Sequence, residues 1–123
     1  MICVCRVEWV RQLLQDRKNA AFLAHRGYRV SADVECMLEQ FAARLRGNSP
    51  FPHEIGVVLG YPLHDVAGFV ENQGRSFACC GCWKAYGEPE AARRYFACCR
   101  RCTEVCMELY RSGVPVLRLV ARV

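Results

Sequence analysis

Long apolar runs are missing from this 123-residue chain. No stretch approaches the roughly 18 apolar residues of a membrane-spanning helix, which excludes an integral helical membrane protein. A secretory leader is not expected either. Met1-Ile2-Cys3-Val4-Cys5 is apolar, but Arg6 and Glu8 interrupt it at once, whereas a leader needs a basic start and about 7–15 apolar residues. A cytoplasmic address is therefore expected, and there thiols stay reduced instead of forming a disulfide framework. No internal repeat, low-complexity tract, Gly-rich phosphate loop or paired-carboxylate motif is present. No reaction is legible, and catalysis by the chain alone is not expected. Cations are missing from the middle. Residues 48–74 hold three acids and no Lys or Arg, a net −3, between flanks of +3 (1–47) and +5 (75–123).

What is present describes a folded chain. A hydrophobic fraction of 53% with 24% charged residues is enough apolar surface to offset ordering entropy and excludes disorder. The length suits one small domain over residues 1–123. Residues from about Arg6 to Arg26 read as one helix or two short ones, with Gly27 as the stop. Ser31 is expected as an N-cap, with Asp33 and Glu35 in the first turn. Val34, Met37, Leu38, Phe41 and Leu45 then form an apolar stripe to about Arg46. Residues 47–52 form a loop. Two short helices are expected at 53–59 and 63–71, joined by Gly60-Tyr61-Pro62 and closed by Gly74. Residues 77–86 read as a short strand or extended turn, and a long helix runs from about Glu88-Pro89 to Ser112-Gly113. Residues 116–123 alternate as a half-buried strand does, and the first few residues could pair with them. Trp9, Tyr28 and Phe41 read as core or partner-facing aromatics. The expected class is α+β, mostly helical, with a central helix-turn-helix-like hairpin and a minor sheet of two or three strands.

The hairpin carries the first functional alternative. In residues 54–70, Gly56 sits inside the first helix, Gly60 makes the turn, and Ile55, Leu59, Val66 and Val70 can pack the two helices together. A DNA reader, however, needs cationic or amide side chains near the start of its second helix. This one offers Leu63, His64, Asp65, Ala67 and Gly68. A packing hairpin is the stronger reading, and nucleic acid and membrane are not the expected partners.

The ten cysteines carry the second. Cys79 and Cys82 form one CxxC, Cys99 and Cys102 another, and the sixteen residues between them lie in the window of a four-thiolate zinc site. Against zinc, Ala92, Tyr95, Cys99, Cys102, Cys106 and Leu109 recur at three- and four-residue steps. A core-facing helical stripe accounts for them as small hydrophobes. No cofactor is the main expectation, and zinc on Cys79, Cys82, Cys99 and Cys102 is the alternative. A redox CxxC at Cys79 and Cys82 lacks the βαβ setting of a thioredoxin-like site. His25, His53 and His64 stand alone at helix ends and turns and read as capping or surface residues.

Two segments carry a family resemblance. FPHEIGVVLGYPLHDVAGFVENQG (residues 51–74) and CCGCWKAYGEPEAARRYF (residues 79–96) resemble the bacterial family called domain of unknown function 3793. The first motif matches through His53, Glu54, Gly56, Gly60, Tyr61, Pro62, Asp65, Glu71, Asn72 and Gly74, among others. The second matches through Cys80, Gly81, Trp83, Lys84, Tyr86 and Gly87. Weaker likeness reaches upstream to Phe22-Leu23 and Gly27-Tyr28. Cys79, Cys82, Cys98, Cys99 and Cys106 are not part of the family pattern, which further lowers the zinc reading. Members usually carry a further N-terminal portion, so a shortened member is expected. The resemblance implies no established activity. From the two polar motifs, His53, Glu54, Asp65, Glu71, Asn72, Trp83 and Lys84 are expected to surround one surface that binds a protein or small ligand.

Overall fold

The computed structural model describes residues 5–48 and 50–121, and the chain divides between Ser76 and Phe77 into two compact units. The fold is mostly helical α+β with one two-stranded antiparallel sheet among the described residues.

In the first unit, Asp16 splits the opening helical stretch into α1 (Val7–Gln15) and α2 (Arg17–His25). Its backbone is extended, and its carboxylate accepts from the backbone N–H groups of Lys18 and Asn19, both at 3.0 Å. An N-cap placed inside an apolar stretch starts a second helix. Gly27, at φ +84°, ends α2 as expected. The N–H of Gly27 donates to Ala24 and that of Tyr28 to Leu23, the paired bonds of a Schellman stop.

Helix α3 (Val34–Arg46) departs from the expected cap. Asp33, not Ser31, is the N-cap, accepting from the Glu35 N–H. The Ser31 hydroxyl instead accepts from the Asp33 N–H and shapes the approach. Its Val34, Met37 and Phe41 meet Val10, Leu14, Leu23 and Tyr28 in one buried core, completed by Val57, Val58 and Val66. Tyr28 and Phe41 thus belong to the core. Trp9 stays 44% exposed.

The central hairpin is half of what its periodicity implies. α4 (Leu63–Asn72) is an α-helix, but His53–Val57 is a 3-10 turn, too short and too Gly- and Pro-bounded to propagate α-helical bonds. Ile55 packs against the core and Val66 is buried within it, while Leu59 remains 48% exposed. Gly56 allows the close approach: a Cβ there would lie 2.9 Å from Val66 Cγ2 and 3.1 Å from Tyr61 Cδ2.

In the second unit, Cys79–Cys80 (β1) pairs antiparallel with Lys84–Ala85 (β2), consistent with the extended reading of 77–86. α5 (Pro89–Arg111) follows. Its Glu88 cap accepts from Ala91 at 2.9 Å. That bond, and a second from the Glu90 N–H, hold the Glu88 carboxyl below the ordinary glutamate range. Gly113, at φ +94°, closes α5 with a second Schellman stop.

Two expectations fail here. Val116–Ala121 is helix α6, not a strand. An isolated strand needs a ladder partner for its backbone groups, and a short helix satisfies them internally. Arg118 and Leu119 donate back to Pro115, and Val116 and Leu119 turn toward α5. Residues 1–4, 122 and 123, which the strand pairing involves, lie outside the described residues. The α5 stripe is also not a core stripe. Phe96 alone on α5 is buried; Cys99 and Cys106 are half-buried, and Tyr95 and Cys102 are exposed.

Candidate partner-binding site

The polar motif residues separate by burial and by unit. In the first unit Glu54 is 3% exposed. Its Oε1 accepts from Arg26 Nε of the α2 cap at 2.9 Å, with Arg44 Nη1 of α3 at 3.9 Å. Arg44 also donates to the Arg26 carbonyl at 3.0 Å and lies 3.7 Å above the Tyr28 ring. Glu54 therefore joins three elements and does not present itself to a ligand. Asp65, also buried, sits in the first turn of α4, where a carboxylate suits the helix dipole, 3.2 Å from the exposed His64 Nε2. The His53 ring lies tilted between Phe51 (centroids 5.1 Å) and Phe69 (4.6 Å). Asn72 donates from its side chain to the Gly68 carbonyl at 2.8 Å. His53, Glu71 and Asn72 are exposed. α4 presents no Lys or Arg.

Trp83 and Lys84 belong to the second unit. Trp83 meets the rings of Tyr95 (5.2 Å) and Phe96 (4.7 Å) edge-on. Lys84 Nζ lies 5.0 Å from the Phe77 ring centroid. Gly81 seats the hairpin tip, since a Cβ there would fall 2.3 Å from Phe96 Cδ2.

The zinc alternative finds no matching geometry. Among the described residues no three His, Cys, Asp or Glu side chains converge as a metal-ligand set. The thiols gather in a different pattern. Burial first, then the neighbouring thiols of Cys82, Cys98 and Cys102, push the Cys99 thiol up. Cys102 is also pushed up, first by Cys98. Both changes make these two thiols slower than an ordinary cysteine to initiate attack on an outside reagent.

An open groove between α5 and α6 is the feature that sequence reasoning missed. About 420 Å³ in volume, it is lined by Cys102, Thr103, Cys106, Met107, Tyr110, Val116 and Leu119. Tyr110 is 57% exposed and Met107 46%. The signal for it was the α5 stripe itself, whose periodicity marks an apolar face without saying what covers it. Among the described residues no helix is long and apolar enough to cross a membrane, α5 included.

No curated protein and no solved structure matches the chain. The family model described as protein of unknown function (DUF3793) matches residues 1–120, nearly the whole sequence, and the chain belongs to that family.

Proposed function

We propose that the chain is a protein-binding module without catalysis of its own, and that the α5–α6 groove receives an amphipathic helix edged with acidic residues. The observation that carries this reading is the apolar groove lined by Met107 and Tyr110 of α5, on which only Phe96 is buried, and by Val116 and Leu119 of α6. An exposed apolar face of this kind suits helix-in-groove recognition, and methionine adapts to a partner's shape. Charge selects the partner. Arg93, Arg100 and Arg111 recur at steps of seven and eleven, which places them along one edge of the apolar face. Arg93 is matched by Glu90, but Arg100 and Arg111 form no ion pair among the described residues. This reading moves the partner surface from the polar hairpin residues, of which Glu54 and Asp65 are buried, to α5.

The test uses a fluorescent amphipathic peptide with apolar residues at helical spacing and glutamates along one edge, beside the same peptide carrying lysines. The glutamate peptide should bind saturably, at least about tenfold more tightly than the lysine peptide, and Tyr110→Asp should abolish binding. Equal affinities, or binding indifferent to Tyr110→Asp, would overturn the proposal. So would sedimentation showing a dimer that Tyr110→Asp dissociates, which assigns the face to a second copy.

A further inference from the structure

The second unit brings Cys82 and Cys99, seventeen positions apart in sequence, to one place by packing. Gly81 leaves no room between the hairpin tip and the Phe96 ring, and Trp83 closes edge-on over Tyr95 and Phe96. Cys82 lies between those two contact residues, and Cys99 is one helical turn beyond Phe96. Cys99 follows Tyr95 and Phe96 by four and three residues, on the face of α5 that receives the hairpin tip, and Cys82 is among the neighbours that push the Cys99 thiol up. Cys82 is exposed and Cys99 half-buried, so Cys82 is the more accessible of the two to a reagent.

We infer that Cys82 and Cys99 form a dithiol site that closes to a disulfide by exchange with a low-molecular-weight disulfide. The exposed Cys82 sulfur attacks one sulfur of the reagent, giving a mixed disulfide and releasing one small thiol. The Cys99 sulfur then attacks the Cys82 sulfur and expels the second small thiol. The protein gives up two electrons and two protons, and the reagent disulfide takes them as two thiols. The product is one bond fastening the β1–β2 hairpin to α5.

Other pairings are less suited. Cys98 and Cys102, or Cys99 and Cys102, stand one turn apart on α5, where Cβ atoms are about 5–6 Å apart. A disulfide needs roughly 3.8 Å, so bridging either pair distorts the helix. The Cys82–Cys99 bridge joins the hairpin to α5, two elements already in contact through Gly81, Trp83 and Phe96, and does not close within one helical turn. None of this depends on what occupies the α5–α6 groove.

The experiment incubates the full, reduced chain with glutathione disulfide, alkylates the remaining thiols, and maps linked peptides by tandem mass spectrometry without reduction. The expected product is about 2 Da lighter than the reduced chain before alkylation, with Cys82 linked to Cys99. Cys98→Ser should keep the link, and Cys99→Ser should leave Cys82 as a glutathione adduct. A Cys79–Cys82 link, glutathione adducts alone on the wild-type chain, or a bridge to Cys82 surviving in Cys99→Ser would each overturn the inference. The wild-type map decides the question even if a variant misfolds.

Discussion

Gly60 shows how much one position can carry. It holds φ +80°, and a Cβ there would lie 2.4 Å from Trp9 Cη2, so both its conformation and its missing side chain are needed. Gly60→Ala is expected to cost about 1–3 kcal/mol, from left-handed strain plus displacement of the indole. Urea unfolding of the two proteins measures the difference, and a change below the low end would remove the Trp9 contact from the account. Tyr28 bears on alkaline stability. Burial first, then the Glu54 carboxylate, raise its phenol above the ordinary value of 10.0, while Arg44 opposes them. The folded state then resists ionisation more than the unfolded chain does. Stability from this group is complete below the unfolded pKa and is lost as pH rises through the folded one. Melting of the wild type should therefore fall more steeply than that of Tyr28→Phe between about pH 9 and about pH 11. Parallel profiles would exclude Tyr28 as the source.

The helices illustrate which signals are local. Gly27 and Gly113 stop α2 and α5 where composition places the stops, because a left-handed glycine and a pair of backbone bonds act within a few residues. The Asp16 break and the Asp33 cap are equally local but compete with near-equivalent neighbours. Ser31 and Asp33 are both competent caps, and only the chain's path selects between them. The alternation at residues 116–121 is the instructive failure. With apolar residues at both i+2 and i+3 spacings, the segment suits either element, and the proximity of α5 and the need for a ladder partner decide it. Within the second unit, the hairpin depends on one aromatic contact set. Trp83→Ala is expected to lower that unit's stability by about 2 kcal/mol, less than a fully buried tryptophan would cost, because Trp83 is only half-buried. Denaturant unfolding followed by near-ultraviolet circular dichroism would show the loss; an unchanged midpoint would mean the hairpin is held by something else.

Burial is distributed unevenly along the chain. Ten hydrophobic residues from Val10 to Val66 form the core of the first unit, whereas Ala85 and Phe96 are the buried hydrophobics described in the second. Local opening free energy follows buried apolar contact. Backbone amides of α3 should therefore exchange with solvent more slowly than those at mid-α5. Native-state hydrogen exchange measures this, and equal protection in both helices would show that the apolar face of α5 is covered in solution. The same unevenness separates what the sequence determines from what packing determines. Helix content, the stops at Gly27, Gly74 and Gly113, the extended piece at 77–86, and the family followed from short-range pattern, since capping, turn conformation and motif identity each act within a few residues. The fate of each apolar face did not follow. The period that predicts a core stripe on α5 is the same for a covered and an uncovered helix. The motif that offers Glu54 as a ligand residue does not contain Arg26 and Arg44, which bury its charge. Nor does a CxxC spacing show that the hairpin tip around Cys82 packs on Phe96 of α5. Those outcomes depend on contacts between residues far apart in sequence, and only packing in three dimensions sets them.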